Sequence, residues 1–296
     1  MEGLSRRLNE IVSIRKAARV ERHSLSEPLG NHWSAYKKLV RTARSDASIE
    51  TVHRLRVATQ KLEAVLKIAK VFGKENFCKG LTKSLRRTRK PLGKLRNLQV
   101  ETVAIARMRE QRHEGESLKK FCRFIEKQKS GATDGVFRAL QKIPLREQQH
   151  QVRQIARHLC VVEKSQNQEK IAKMIGKGLK KTSENFDHAL KHLSPFRVSS
   201  LHRFRMVAKQ LRYQKKVGQA VSGTSDPDLI RLKDIQAEIG EIHDNDVLRK
   251  SIDRYLNKKT QGNEITLKKI RNDIEAMQVK SLPVEIKRLT SANWLI

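Results

Sequence analysis

Residues 201–216 concentrate positive charge on one predicted helical face. The segment, LHRFRMVAKQLRYQKK, contains six lysines and arginines and no acidic residue. Steps of three, four, three and four separate five of its cationic or cationisable side chains, so a helix would align them on one side. Like charges at this spacing repel each other and weaken an isolated helix. We therefore interpret these five residues as an anion-binding stripe: His202, Arg205, Lys209, Arg212 and Lys216.

A second basic segment, residues 79–96, contains eight lysines and arginines and again no acid. A weaker stripe of lysines occupies 170–181, where glutamates flank it. Charge runs are commonly solvated helix faces, and this alternative stays open for every stripe. The absence of acids favours an anion site in the first two. Helical spacing groups five residues of the second segment on one face: Lys79, Lys83, Arg86, Lys90 and Lys94.

The whole chain carries the same excess of positive charge. It has 296 residues, with 64 lysines and arginines against 31 aspartates and glutamates, for a formal charge of +33. Such an excess indicates a polyanionic partner: nucleic acid, an anionic membrane surface or inorganic polyphosphate. No apolar run approaches the roughly 20 residues of a membrane span. Three scattered cysteines without a CxxC motif favour a reducing compartment, so we expect a cytoplasmic protein with no membrane span.

Apolar residues recur at helical spacing along most of the chain, and no segment shows a useful strand pattern. The predicted fold class is all-α. Four local signals are expected to interrupt the helices: Pro91 with Gly93 should kink or end one, the KSGATDG stretch at 129–135 should break or bend one, Asp244 should begin one, and Pro283 should end the last. Asp244 would be the N-cap of a helix over 244–258.

The histidines and one acidic cluster are candidates for chemistry beyond simple charge. His53 and His202 could each be structural, contact an anion directly, bind a metal or act in catalysis. Neither has a second ligand at metal spacing, which argues against a metal site. His243, Asp244 and Asp246 form the most metal-like cluster, but helix capping explains the aspartates, with a salt bridge to an arginine as the next alternative. We predict no metal, no cofactor and no catalytic residue.

Two pairs of segments predict an internal duplication. Residues 52–64, VHRLRVATQKLEA, align with 201–213, LHRFRMVAKQLRY, at an offset of 149 positions. Residues 91–100 align with 238–247 at an offset of 147 positions. Each half would then form one helical bundle, with the two bundles related by a pseudo-two-fold axis. This symmetry would bring the two basic helices to equivalent places, where they could line a shared positive groove.

These motifs, as an ordered set that occurs twice, resemble the CHAD family. The resemblance is carried by HxxRVxxxxL in the first half, HxxRxxxKxLRY in the second, and a glycine-containing segment after each. It covers about residues 28–280. The resemblance implies two four-helix bundles around a basic groove, binding of inorganic polyphosphate, and localisation to polyphosphate granules. No ExExK signature of a fused triphosphate-processing barrel is present, so the chain resembles the stand-alone form.

The two halves match the family pattern unequally. The first half departs at Gln60 and Glu63, where the family has basic residues, and its later segment reads RNLQV at 96–100 in place of an RDxDV-like motif. The first half keeps His53, Arg56, Lys61, Leu62 and Gly93. The second half keeps His202, Arg205, Lys209, Arg212, Tyr213, Gly240, Asp244 and Asp246.

The expected organisation places a basic helical extension at 1–27, one CHAD-like domain at 28–283 and a tail at 284–296. The domain would divide into halves of about 28–143 and 144–283.

The leading hypothesis is non-catalytic binding of inorganic polyphosphate by lysine, arginine and histidine side chains, which requires no nucleophile. A nucleic-acid-binding helical protein is the alternative, although an aromatic content of 4% leaves little for base stacking. A metal-dependent phosphohydrolase using Asp244 and Asp246 is a minor alternative. The predicted polyphosphate-binding residues are His53, Arg56, Lys79, Lys83, Arg86, Lys90, His202, Arg205, Lys209, Arg212, Tyr213 and Lys216.

Overall fold

The computed structural model describes residues 24–111, 115–258 and 264–291, and its regular structure over these ranges is entirely helical. This confirms the predicted all-α class. Of the predicted N-terminal extension, residues 1–23 lie outside the described ranges. A 3-10 turn, Lys70–Phe72, follows the second helix. The α helices are α1 (Ser26–Ala43), α2 (Ile49–Ala69), α3 (Glu75–Gln111), α4 (Glu116–Gln141), α5 (Leu145–Ser165), α6 (Gln168–Lys191), α7 (Val198–Ser222), α8 (Asp228–Leu256) and α9 (Ile265–Ser291).

The predicted helix start at Asp244 and the predicted end at Pro283 are wrong, and at Pro91 and at 129–135 the helix continues, which leaves only the kink or bend of those two predictions. α3 passes through Pro91 and Gly93, and α4 passes through residues 129–135. α8 passes through Asp244, and α9 passes through Pro283. Asp244 is therefore not an N-cap, because it lies in a helix interior.

α3 shows why a local helix-breaking signal does not end a helix here. Leu92, Leu95 and Leu98 are at most 3% exposed, and they continue beyond the proline the buried face that Leu81 and Leu85 begin. Burying one leucine side chain stabilises a fold by roughly 1.5–3 kcal/mol. A proline in a helix interior costs about 3 kcal/mol. Three buried leucines therefore outweigh the proline, and the helix continues.

The buried apolar residues form two cores. The first combines α1–α5 with parts of the later helices, and α5 contributes Val152, Ile155 and Leu159 to it. α5 packs against α1 and α3, although the sequence assigned this segment to the second half. The second core lies where α6 packs on α7, α8 and α9, with the ring centroids of Phe186 and Phe204 4.9 Å apart.

α2 and α7, the helices that carry the aligned motifs, lie against each other. α2 packs on α1 and α3, and α7 packs on α6 and α8, so the two helices have equivalent neighbours in chain order. These contacts are compatible with the predicted duplication, which stays a prediction. None of the described helices is both long and apolar enough to cross a membrane.

Replacing Pro91 with alanine is expected to raise the free energy of unfolding by about 1–3 kcal/mol. Alanine removes the ring clash with the preceding turn and supplies an N–H for the carbonyl of Arg87, in a helix that is already continuous. Urea denaturation of both proteins measures the difference. Leu92→Ala is the opposing control and is expected to cost about 2–5 kcal/mol. A less stable Pro91→Ala protein would show that the fold depends on the bend that proline introduces.

Candidate functional site

Six basic side chains meet where α2 contacts α7. Four arginines lie close enough to Lys209 for their charges to lower its pKa. Three arginines have the same effect on the pKa of Arg56. The members come from α2, α3 and α7, so no single helix would reveal the cluster. The central cluster consists of Arg56, Arg89, Arg96, Arg205, Lys209 and Arg212.

Burial and mutual repulsion make these cations easier to deprotonate. Burial, together with repulsion by Arg205 and neighbouring arginines, lowers the pKa of Lys209 to about 8. The same causes lower the pKa of Arg56 to about 10. Lys209 is therefore only partly protonated at pH 8. An anion placed among these groups would favour their charged forms.

Two arginines of the central cluster have buried nitrogens without hydrogen-bond partners. The Nε atoms of Arg205 and Arg212 are shielded from solvent, and no described residue accepts from them. A buried donor left unpaired costs roughly 1–3 kcal/mol, and more when it is charged. Phosphate oxygens would supply the acceptors, because guanidinium groups bind them through charge-assisted hydrogen bonds. The cluster is therefore suited to an oxyanion.

A glycine lies beside the corresponding arginine in each half. A Cβ atom at Gly93 would come within 2.7 Å of Arg56 Nη1, which is too close for a carbon. A Cβ atom at Gly240 would lie 3.6 Å from Arg205 Nη2, in ordinary contact. Arg56 thus keeps its position because residue 93 has no side chain. The repetition of this arginine–glycine contact is what the predicted duplication requires.

Two adjoining cavities extend from the central cluster. The smaller, of about 170 Å³, lies between α2, α3 and α7, and Lys209 and Tyr213 are among its lining residues. The larger, of about 940 Å³, lies between α2, α3, α6 and α7. They share Lys67, Arg86 and Gln210. Among the residues that the structure describes, no acidic one lines the larger cavity, whose basic residues are Lys67, Lys70, Lys79, Lys83, Arg86, Arg87, Lys90, Lys177 and Lys181.

A family model for the CHAD domain matches residues 27–253, which span the central cluster and both cavities. The chain belongs to the CHAD domain family. The match confirms the family that the motifs in the two halves resemble. The CHAD family is associated with polyphosphate.

Two solved structures share the fold of this CHAD domain. The crystal structure of the CHAD domain from the plant Ricinus communis has a TM-score of 0.63 and 16% sequence identity, covering 89% of this chain and 92% of that chain. PptA from Streptomyces chartreusis has a TM-score of 0.60 and 16% identity, covering 90% of this chain and 98% of its own. Likeness at this identity shows the fold alone. No curated protein matches the chain.

The structure brings most of the predicted binding residues of the CHAD domain to these connected features. Tyr213 is buried, and its ring centroid lies 5.9 Å from Lys209 Nζ and 5.3 Å from Arg212 Cζ, within range of cation–π attraction. Lys216 is exposed and lines neither cavity. The central cluster holds Arg56, Arg205, Lys209 and Arg212, and the larger cavity holds Lys79, Lys83, Arg86 and Lys90.

His202 pairs with His243, which the sequence grouped with two aspartates. Their Nδ1 atoms lie 3.1 Å apart and their ring centroids 4.4 Å apart. One nitrogen must accept while the other donates, so at least one ring is neutral. Burial, with repulsion by His202 and Arg205, lowers the pKa of His243 to about 4.

Burial and neighbouring cations also lower the pKa of His202 and of His53. Both predicted histidines are therefore mainly neutral at pH 7 in the free protein.

Asp246 forms salt bridges with two basic side chains of its own helix. It is buried, and its carboxylate accepts from Arg249 Nη2 at 3.1 Å and from Lys250 Nζ at 2.7 Å. This is the salt-bridge role that the sequence left as an alternative to capping. Across the described ranges, no three histidine, cysteine, aspartate or glutamate side chains are grouped to hold a metal ion.

The predicted binding residues leave out two arginines of the central cluster, Arg89 and Arg96, and five basic residues of the larger cavity, among them Lys67. Lys67 lines both cavities, and burial is the main cause that lowers its pKa to about 8. The duplication could have identified it, because an offset of 149 places Lys67 opposite Lys216. Arg89 lies in the basic segment but off its predicted stripe, so the spacing rule excluded it.

Replacing Arg205 with glutamine is expected to raise the pKa of Lys209 toward its ordinary value, because Arg205 is its strongest repelling neighbour. Titration of the lysine Cε signals by 13C NMR measures the shift without any ligand. Lys67 is the internal control, since Arg205 is not among the charges that shift its pKa. An unchanged pKa of Lys209, or an equal pKa shift at Lys67, would contradict the contact between Arg205 and Lys209 in the central cluster.

Proposed function

We propose that this CHAD domain binds inorganic polyphosphate at the central cluster and along the two adjoining cavities, without chemical conversion. The observation that carries this proposal is the pair of buried Nε atoms of Arg205 and Arg212, which lack acceptors inside a cluster of like charges. A chain of phosphates would supply acceptors and opposite charge together. The proposal extends to retention of the protein on polyphosphate granules.

The shape of the basic surface supports a chain-like ligand over a single phosphate. Lys67 and Arg86 line both the smaller and the larger cavity. The larger cavity is lined by nine basic side chains and, among the described residues, by no acidic one. One phosphate could contact only a few of these cations. A polymer with a negative charge on each unit could contact both cavities and the central cluster at once.

The double variant Arg205→Glu/Arg212→Glu is expected to bind long-chain polyphosphate at least tenfold more weakly, which corresponds to roughly 1.4 kcal/mol or more. It removes both guanidinium groups whose Nε atoms lack acceptors, and it places carboxylates where phosphates would bind. Isothermal titration calorimetry measures the affinity, and circular dichroism checks that the variant remains folded.

The matched control is Arg153→Glu/Arg157→Glu on α5. Both arginines are exposed, neither lines either cavity, and the net charge changes by the same amount. A similar loss in both double variants would indicate attraction to overall charge. Unchanged affinity in the folded Arg205/Arg212 variant would reject the central cluster as the site.

Single-stranded DNA is expected to displace polyphosphate poorly when the two are matched in phosphate concentration. Among the described residues that line the two cavities, Tyr213 is the one aromatic, and it is 6% exposed, so unpaired bases would find little to stack on. Competition against fluorescently labelled polyphosphate, at fixed salt, measures the preference. Equal displacement by DNA would favour a nucleic-acid-binding function for the same surface.

A further inference from the structure

We propose that Glu63 is an internal counter-anion whose carboxylate occupies a phosphate position between Arg86 and Arg89 in the free protein. This inference rests on the proposed function. The polyphosphate chain would have to compete with Glu63 for these two arginines. Glu63 would thereby stabilise the free site and weaken ligand binding.

The geometry at Glu63 is that of an anion held by two guanidinium groups. Arg86 Nε donates to Oε1 at 2.7 Å, and Arg89 Nη1 donates to Oε2 at 2.6 Å. The Glu63 side chain is 8% exposed and that of Arg89 is 28% exposed, so their contact is screened less than a surface pair, whereas Arg86 is 57% exposed. Each carboxylate oxygen takes the place that a phosphoryl oxygen would take against the same donor.

Glu63 lies where the proposed ligand would pass between the cavities. It lines the smaller cavity together with Lys67, Arg86, Arg89 and Lys209. Lys67 and Arg86 also line the larger cavity, which has no acidic residue within the described part of its lining. Of the described residues that line these two adjoining cavities, Glu63 is thus the one with a carboxylate. A phosphate chain that follows them must approach it.

The duplication register shows that Glu63 departs from the pattern of the second half. An offset of 149 places Glu63 opposite Arg212 and Gln60 opposite Lys209. The second half therefore presents an arginine with an unpartnered Nε where the first half presents a carboxylate with both oxygens engaged. In the second half, Arg212 Nε stays available to a ligand. In the first half, Glu63 pairs with Arg86 and Arg89.

The Glu63 carboxylate should have opposite effects on the stability of the free protein and on ligand binding. Without Glu63, Arg86, Arg89 and Lys67 would repel each other in a partly buried site. With Glu63, an arriving phosphate meets a carboxylate of like charge and two arginines that are already paired. Removal of the charge at residue 63 should therefore destabilise the free protein and strengthen binding.

Glu63→Gln tests this inference, with Glu75→Gln as the matched control. Glu75 also bridges two cations of the same surface, Lys70 at 2.8 Å and Lys79 at 2.9 Å, but its side chain is half-exposed and screened by solvent. Both substitutions remove one negative charge, so each raises the net charge by one. The probe is inorganic polyphosphate of one defined length, titrated calorimetrically into each protein.

Glu63→Gln is expected to bind this probe at least tenfold more tightly than the wild type, and Glu75→Gln less than threefold. The free Glu63→Gln protein is expected to melt at a lower temperature than the wild type. At saturating polyphosphate this order of melting temperatures should reverse, because the tighter ligand stabilises the folded state more.

Equal effects of the two substitutions would overturn the inference, because overall charge would then explain both. Weaker binding by Glu63→Gln would also overturn it, since Glu63 would then be positioning arginines for the ligand. If Glu63→Gln fails to fold, Glu63→Asp keeps the charge but shortens its reach, and unchanged or weaker binding in that variant would refute the inference. A wild-type protein that binds no polyphosphate would refute the proposed function itself.

Discussion

Repulsion among buried cations is the constraint on which the site depends. Helix packing holds α2 against α7 and brings Arg56 next to Arg205 and Lys209, although these charges oppose the contact. Apolar burial supplies the opposing free energy. Leu55 and Leu62 on α2, and Leu211 on α7, are fully buried, and each such side chain contributes roughly 1.5–3 kcal/mol. The apolar faces of the two helices thus hold their basic faces together.

The free protein relieves this repulsion by three means, each visible in particular residues. Glu63 pairs with Arg86 and Arg89. Lys209 has a pKa of about 8, so it can lose a proton near physiological pH. His202 and His243 share a contact between their Nδ1 atoms that requires at least one neutral ring. Asp244 offsets only part of the charge of Arg205, and the Nε atoms of Arg205 and Arg212 still have no acceptor among the described residues.

The sequence was sufficient for the all-α class and the family, because these depend on periodic patterns and motifs within single segments. It failed where distant residues decide the outcome. Pro91 and Asp244 resemble helix boundaries locally, but buried leucines such as Leu92 and Leu248 on α3 and α8 carry those helices onward. The partners of Glu63 lie more than twenty positions away on another helix, and no spacing rule within one helix could reveal them.

These three means of relief also bear on which ligand the proposed function would favour. An arriving anion acts on these adjustments: Glu63 must give up its arginines, and the anion would favour the protonated form of Lys209. A single phosphate supplies too few contacts to offset all of these changes. A polymer supplies many charges through one binding event, and the later contacts become intramolecular once the first has formed. The site would therefore favour ligands that carry many linked charges, because only a dense polyanion could displace its internal counter-charges.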